Sequence, residues 1–151
     1  IRGDKNIESG IQRTESFSKV IEKKEEGKIL ANLTDILGHD EGRNAMADII
    51  KIDPELVICS SDLTALGIID GARIDYNLEI PRDMAVIGFG DNPISSWGMN
   101  RLTTVQLPYE KLIDESIRCL IRRINNPELP PKNIELLSDI ITRDTTRKLM
   151  Q

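Results

Sequence analysis

Two short apolar runs constrain this chain more than anything else in it: LVICSS at 56–61 and MAVIGF at 84–89. Their hydrophobicity is continuous rather than alternating, the pattern of a strand covered on both faces and so of a parallel sheet between helices. Each run stops abruptly at a polar cluster. The first ends in Ser60-Ser61-Asp62 and turns at once into Leu63, Leu66, Ile69 and Ala72 at helical spacing. That reads as a strand–helix unit with Asp62 as N-cap. The second breaks at Gly90-Asp91-Asn92-Pro93 before another apolar segment, LTTVQL at 102–107. Open α/β sheets bind ligands beyond the carboxyl ends of their strands, so both polar clusters are candidates for one cleft.

The rest of the chain continues the alternation. Residues 8 to about 25 carry Ile11, Phe17, Val20 and Ile21 with charges between them, an amphipathic helix with Gly27 as its stop. KILANL at 28–33 reads as a short strand. His39-Asp40-Glu41 opens a helix in which Ala45, Met46, Ile49 and Ile50 share a face, with Asp40 as N-cap. A long helix over 109–125 carries Leu112, Ile113, Ile117, Leu120, Ile121 and Ile124, and NIELLSDIITRDTT at 133–146 closes the chain as an extended run. The expected class is α/β, a parallel sheet flanked by helices.

Composition removes several function classes. At 151 residues, 39% hydrophobic and 30% charged, this is a one-domain length of ordinary soluble composition. A net charge of -5 argues against a nucleic-acid-binding surface in this chain. Lys111, Arg118, Arg122 and Arg123 are the nearest thing to a basic patch, and they read as the solvated side of a helix. Cys59 and Cys119 sit in apolar settings and pack as small hydrophobes, with no disulfide framework or zinc spacing. Without a signal peptide or an apolar run of membrane-span length, the expected location is cytoplasmic, and the sequon at Asn32 is incidental.

No catalytic constellation emerges. The single histidine, His39, has no Cys or second His beside it. No phosphate-binding GxxxxGK[ST] or nucleophile-elbow GxSxG occurs, and the Gly88-Phe89-Gly90 triplet lacks the third glycine of a dinucleotide fingerprint. An enzyme is not expected, nor a metal or other cofactor. What remains is Ser60, Ser61 and Asp62 at one strand end and Gly90, Asp91 and Asn92 at another. Short polar side chains suit a hydroxyl-rich ligand. The plain alternative is that Ser61 and Asp62 only cap a helix and Asp91-Asn92-Pro93 only makes a turn.

Taken together, the pieces resemble the effector-binding region of the lactose/galactose repressor (LacI/GalR) family of transcriptional regulators. The matching pieces are Ser61-Asp62, Ala65-Leu66-Gly67, Ile80-Pro81, Asp83, Val86-Ile87-Gly88-Phe89 and Leu102-Thr103-Thr104-Val105. Upstream, Arg13-Thr14-Glu15-Ser16-Phe17 resembles the family's RxxGF with Ser16 in place of Gly. Downstream, residues 141–146 resemble its closing xxRxST. The resemblance spans nearly the whole chain.

It implies a periplasmic-binding-protein-like fold of type I, mostly the C-terminal lobe. That lobe would occupy about 1–101, a crossing segment and helix about 102–130, and a closing strand about 131–147. The chain would start inside the second lobe, and apolar surface would be left uncovered along 113–124. The implied function is the ligand-sensing and dimerisation part of a regulator. Its effector would be a sugar, a sugar phosphate or a related small metabolite that modulates operator binding. The partners would be that effector and a second copy, with DNA met only through a headpiece absent from this chain and no membrane. A periplasmic sugar-binding protein of a transporter shares the fold and is the rival.

The resemblance also assigns residues. Arg13 matches the arginine that reaches the effector, Ser9 a further polar contact and Ser61 another. Asp62 is a helix cap at the cleft. Gly90 stands where the family carries a ligand-holding acid, with Asp91 one residue later as its substitute or as the mark of a different effector. Leu37 stands where some members stack an aromatic. Subunit contacts are implied for the helix with Leu66 and Ile69 and for the loop 93–99, where Trp97 is a contact, a loop anchor or a stacking group.

Overall fold

The two apolar runs do pair. In the computed structural model, which describes residues 1–4, 6–23 and 27–147, β1 (Leu56–Ile58) lies parallel to β2 (Ala85–Gly90). Val57 stands opposite Val86 and Ile58 opposite Ile87. β3 (Thr103–Gln106) continues in parallel beside β2, with Gly88 opposite Thr104. β4 (Asp139–Ile141) completes the sheet in the order β1-β2-β3-β4 but runs antiparallel to β3. The closing run is therefore not a parallel strand, and only three of its residues join the sheet. Its remainder is fastened differently: Thr145 is fully buried, donates its hydroxyl to the Val86 carbonyl at 2.7 Å and accepts the Thr103 amide at 2.9 Å.

Among the described residues four α-helices accompany the sheet: α1 (Glu8–Glu22), α2 (His39–Ile52), α3 (Asp62–Asp70) and α4 (Tyr109–Asn125). The expected end of the first helix near residue 25 lies outside the described residues. α3 is apolar almost all round and packs against both β2 and α2. The α2–α3 contact is so close that a Cβ at Gly67 would run into the His39 carbonyl. Met46, Ile49, Ala65, Ile68, Val86 and Leu102 form the centre of the core.

Three expectations change here. Residues 28–33 form no strand; instead Arg2 donates its amide to Leu33, and Asp35 and Ile36 donate back to Gly3 and Arg2. Ile1–Gly3 thus runs between β1 and 33–36, with the Ile1 ammonium on the Ile58 carbonyl. The N-cap of α2 is Gly38 and not Asp40, whose side chain turns to His39. Leu66 and Ile69, expected at a subunit contact, are 4% and 1% exposed and belong to the core of this chain. Helical spacing marks an apolar face without saying whether core or partner covers it. The long α4, by contrast, buries none of its residues, and Leu112, Ile113, Ile117, Leu120, Ile121 and Ile124 are all at least half exposed.

Candidate functional site

The parallel order of β1 and β2 brings their carboxyl ends to one edge, and the polar residues beyond them form a connected cluster. Beyond β1, Ser61 is the residue that caps α3. Its backbone is extended, and its Oγ accepts the Thr64 amide at 3.2 Å and donates to the Thr64 hydroxyl at 3.0 Å. Asp62, expected as the cap, is instead the first residue of the helix and fully buried. Its carboxylate accepts the Asn92 backbone amide at 2.7 Å, the Asn92 side-chain amide at 3.3 Å and the Thr104 hydroxyl. A buried charge is held only where donors surround it, and these come from the next loop and from β3.

Beyond β2 the chain turns through Gly90 at φ 132 and Asp91 at φ 54. An L side chain at Gly90 would be strained, and its Cβ would lie 3.1 Å from the Asn92 amide nitrogen. Gly90 is therefore what lets the loop fold back onto Asp62. Asp91 points the other way, into β3 and the chain after β4: it accepts Arg143 Nη2 at 2.6 Å and Gln106 Nε2 at 2.8 Å. Arg143 is fixed in turn by its Nη1 on the Leu102 carbonyl at 2.7 Å and its amide on the Thr103 hydroxyl at 2.8 Å.

α1 supplies the other side. Arg13 donates Nη1 to the Ser60 carbonyl at 2.8 Å, Nε to the Ser9 carbonyl at 3.0 Å and Nη2 to Ser9 Oγ at 3.4 Å. Its guanidinium carbon lies 4.4 Å from the centre of the Phe89 ring. Ser9 and Arg13 are thus brought to the ends of β1 and β2. Leu37 sits close by, since a Cβ at Gly3 would touch both its side chain and that of Ser60. A cavity of about 580 Å³ runs from Arg13 and Ser60 along β1, beneath Phe17 and Ile21 of α1 and beside residues 27–33. It meets the cluster at that end only, and Ser9, Ser61, Gly90 and Asp91 lie outside its lining.

Several groups lie apart from this cluster. His39 bridges α2 to α3, with Nε2 at 2.8 Å from Asp70 and Nδ1 at 3.1 Å from Asp40. Trp97 is 62% exposed on the loop after β2, near Met99, whose carbonyl accepts Arg73 at 3.2 Å. Among the described residues no three His, Cys, Asp or Glu side chains group to hold a metal ion, and no helix is long and apolar enough to cross a membrane.

Arg143, Gln106 and Thr104 were not singled out from the sequence as site residues. Arg143 lies within the closing run 133–146, and Thr103-Thr104 put two hydroxyls into an otherwise apolar strand, which is the available signal. The cluster chemically offers hydrogen-bond donors around a planar guanidinium over an aromatic face.

Residues 2–146 match the family model described as the periplasmic binding protein-like domain. The chain is 38% identical over 90 residues to the HTH-type transcriptional regulator RegA of Clostridium saccharobutylicum, covering 60% of this chain and 27% of that protein. It is 28% identical over 149 residues to the ribose operon repressor of Halalkalibacterium halodurans, covering 97% of this chain and 44% of the repressor. Its fold superposes on the Lac repressor bound to ONPG in the repressed state with a TM-score of 0.86 at 20% identity, covering 96% of this chain and 44% of that one. The chain spans less than half the length of each of these proteins.

Proposed function

The chain belongs to the periplasmic binding protein-like domain family, in the form carried by LacI/GalR-type transcriptional regulators, and from that premise we propose that it senses a small-molecule effector, a sugar or related metabolite. The observation that carries the reading is Arg13. Its donors and the Phe89 ring stand where two parallel strands end, flanked by Ser9, Ser60 and Ser61. Ligand contacts are assigned to Arg13 and Ser9, with Gly90 contributing backbone. Ser61 acts chiefly as a cap and Asp91 chiefly as the partner of Arg143.

The same loops explain how a signal would leave the site. Asp62 ties the β1–α3 turn to Asn92 and to Thr104 of β3, and Asp91 ties the loop after β2 to Arg143 beyond β4. A ligand that shifts residues 90–92 therefore pulls on β3 and on the closing segment together. Operator binding would be the second site of that coupling, carried by another part of the protein. The reading is of a cytoplasmic binding module without catalysis. The regulator relatives favour it over a transporter's periplasmic component. A homodimer would use the exposed Trp97, Met99 and Ile74, which are 62%, 88% and 66% exposed, rather than Leu66 and Ile69.

The test is thermal unfolding of the full-length protein against a panel of sugars and sugar derivatives, with Arg13→Ala in parallel. A ligand at about 100 times its dissociation constant adds roughly 2.7 kcal/mol to the unfolding free energy. A stabilising sugar whose effect disappears in Arg13→Ala is the expected result. Stabilisation that survives the substitution would remove the effector from this cleft.

A further inference from the structure

We infer that the effector carries an anionic group, a phosphate or a carboxylate on a sugar framework, seated on Arg13; this rests on the sugar-sensing reading above and narrows it. The carboxylates at the strand ends have already been claimed. Asp62 is fully buried and takes three donors from Asn92 and Thr104. Asp91 has one oxygen on Arg143 and the other on Gln106, and its side chain is 13% exposed. Where the family resemblance leads one to expect a ligand acid, the chain has Gly90. A neutral sugar needs acceptors for its hydroxyl protons as much as donors for its oxygens, and this rim has no open carboxylate among those groups.

What stays open is donor capacity. Among the described residues no carboxylate pairs with Arg13. It rests on the Ser9 and Ser60 carbonyls, the Ser9 hydroxyl and the Phe89 ring. A guanidinium has five N–H groups, and these contacts leave one free on each Nη atom. The Ser9 hydroxyl, which only accepts from Arg13, has its own proton to give. A planar cation backed by a ring, bonded only to neutral acceptors and with N–H groups to spare, is matched by a two-oxygen anion. The Arg143–Asp91 pair sets this preference, because Arg143 takes out of play the carboxylate that would otherwise face the ligand.

The experiment is calorimetric titration of the full-length protein with matched pairs: glucose and glucose 6-phosphate, ribose and ribose 5-phosphate, galactose and galacturonate. The expected result is that the charged member of at least one pair binds at least about tenfold tighter than its neutral partner. That advantage should shrink in high salt and vanish in Arg13→Gln. Asp91→Asn, which leaves Arg143 without its carboxylate, should keep or strengthen binding of the charged member. A neutral member binding as well as or better than its charged partner overturns the inference and leaves the sugar-sensing reading standing. Collapse of binding in Asp91→Asn, with the melting temperature of the unliganded protein unchanged, overturns it too, by showing Asp91 to be the gripping acid. Silence from every charged and neutral member overturns both.

Discussion

The carboxylate of Asp62 accepts the backbone amide of Asn92 at 2.7 Å across thirty residues of sequence, so the turn after β1 and the loop after β2 are one structural unit. The Thr104 hydroxyl donates to the other carboxylate oxygen and draws β3 into it. Removing the carboxylate leaves buried donors without an acceptor. Asp62→Ala is expected to lose roughly 2–3 kcal/mol of stability. Asp62→Asn keeps the shape but sets an NH2 group against donors and should also lose stability. Urea unfolding midpoints check this, and a midpoint like that of the unsubstituted protein in both variants would show that the unit does not hold the loops.

How much of this was legible follows from range. β1 and β2 are readable as strands from their continuous apolar runs, although burial alternates along β2 and Leu56 of β1 is exposed, and α4 is readable because its apolar spacing is regular over many turns. The division of labour between Ser61 and Asp62 was not. Either residue suits an N-cap, and which one caps depends on a single-residue choice of where helical dihedrals begin. Asp62 was displaced from that role by partners thirty and forty-two residues away, which no local pattern records. Arg143 and Asp91, fifty-two residues apart, were invisible as a pair for the same reason. The expected strand at 28–33 failed because an apolar run says nothing about whether a neighbour is there to take its backbone bonds. Among the described residues, Leu33 at its end finds one in Arg2.

His39 gives a pH dependence with a definite sign. Hydrogen bonds donated to Asp70 first and Asp40 second raise its pKa above the ordinary value. A group whose folded pKa exceeds its unfolded value, about 6.5 for His, contributes its full stability below that value. The contribution is lost as pH rises through the raised folded pKa. The difference in melting temperature between the unsubstituted protein and His39→Gln should therefore be larger at pH 6 than at pH 9. Equal gaps at the two pH values would show that the α2–α3 bridge does not depend on the imidazolium.

The two cysteines should differ sharply in reactivity. Cys59, the residue directly after β1, is buried, and that burial pushes its thiol up to about 12, so almost no thiolate exists near neutrality. Cys119 is partly exposed on α4. Iodoacetamide applied to the folded protein at pH 8 should alkylate Cys119 and leave Cys59 intact until urea is added, as peptide mass mapping would show. Prompt native alkylation of Cys59 would mean that β1 opens far more readily than its place in the core allows.

Two isoleucines provide the sharpest contrast in stability. Ile68 of α3 is fully buried at the meeting of the helix with the core cluster, whereas Ile117 of α4 is 50% exposed on a helix that buries nothing. Truncating a buried isoleucine removes its transfer free energy and leaves a cavity, so Ile68→Ala should cost about 2–5 kcal/mol. Ile117→Ala removes a side chain that the chain only half covers and that lies outside the core cluster, and Ala is the better helix former, so its effect should stay within about 0.5 kcal/mol. The two variants should therefore separate by several kelvin in melting temperature when both are measured on residues 1–151. A large loss from Ile117→Ala would show that α4 packs against something in solution, with self-association through its apolar stripe distinguished by the concentration dependence of the melting temperature.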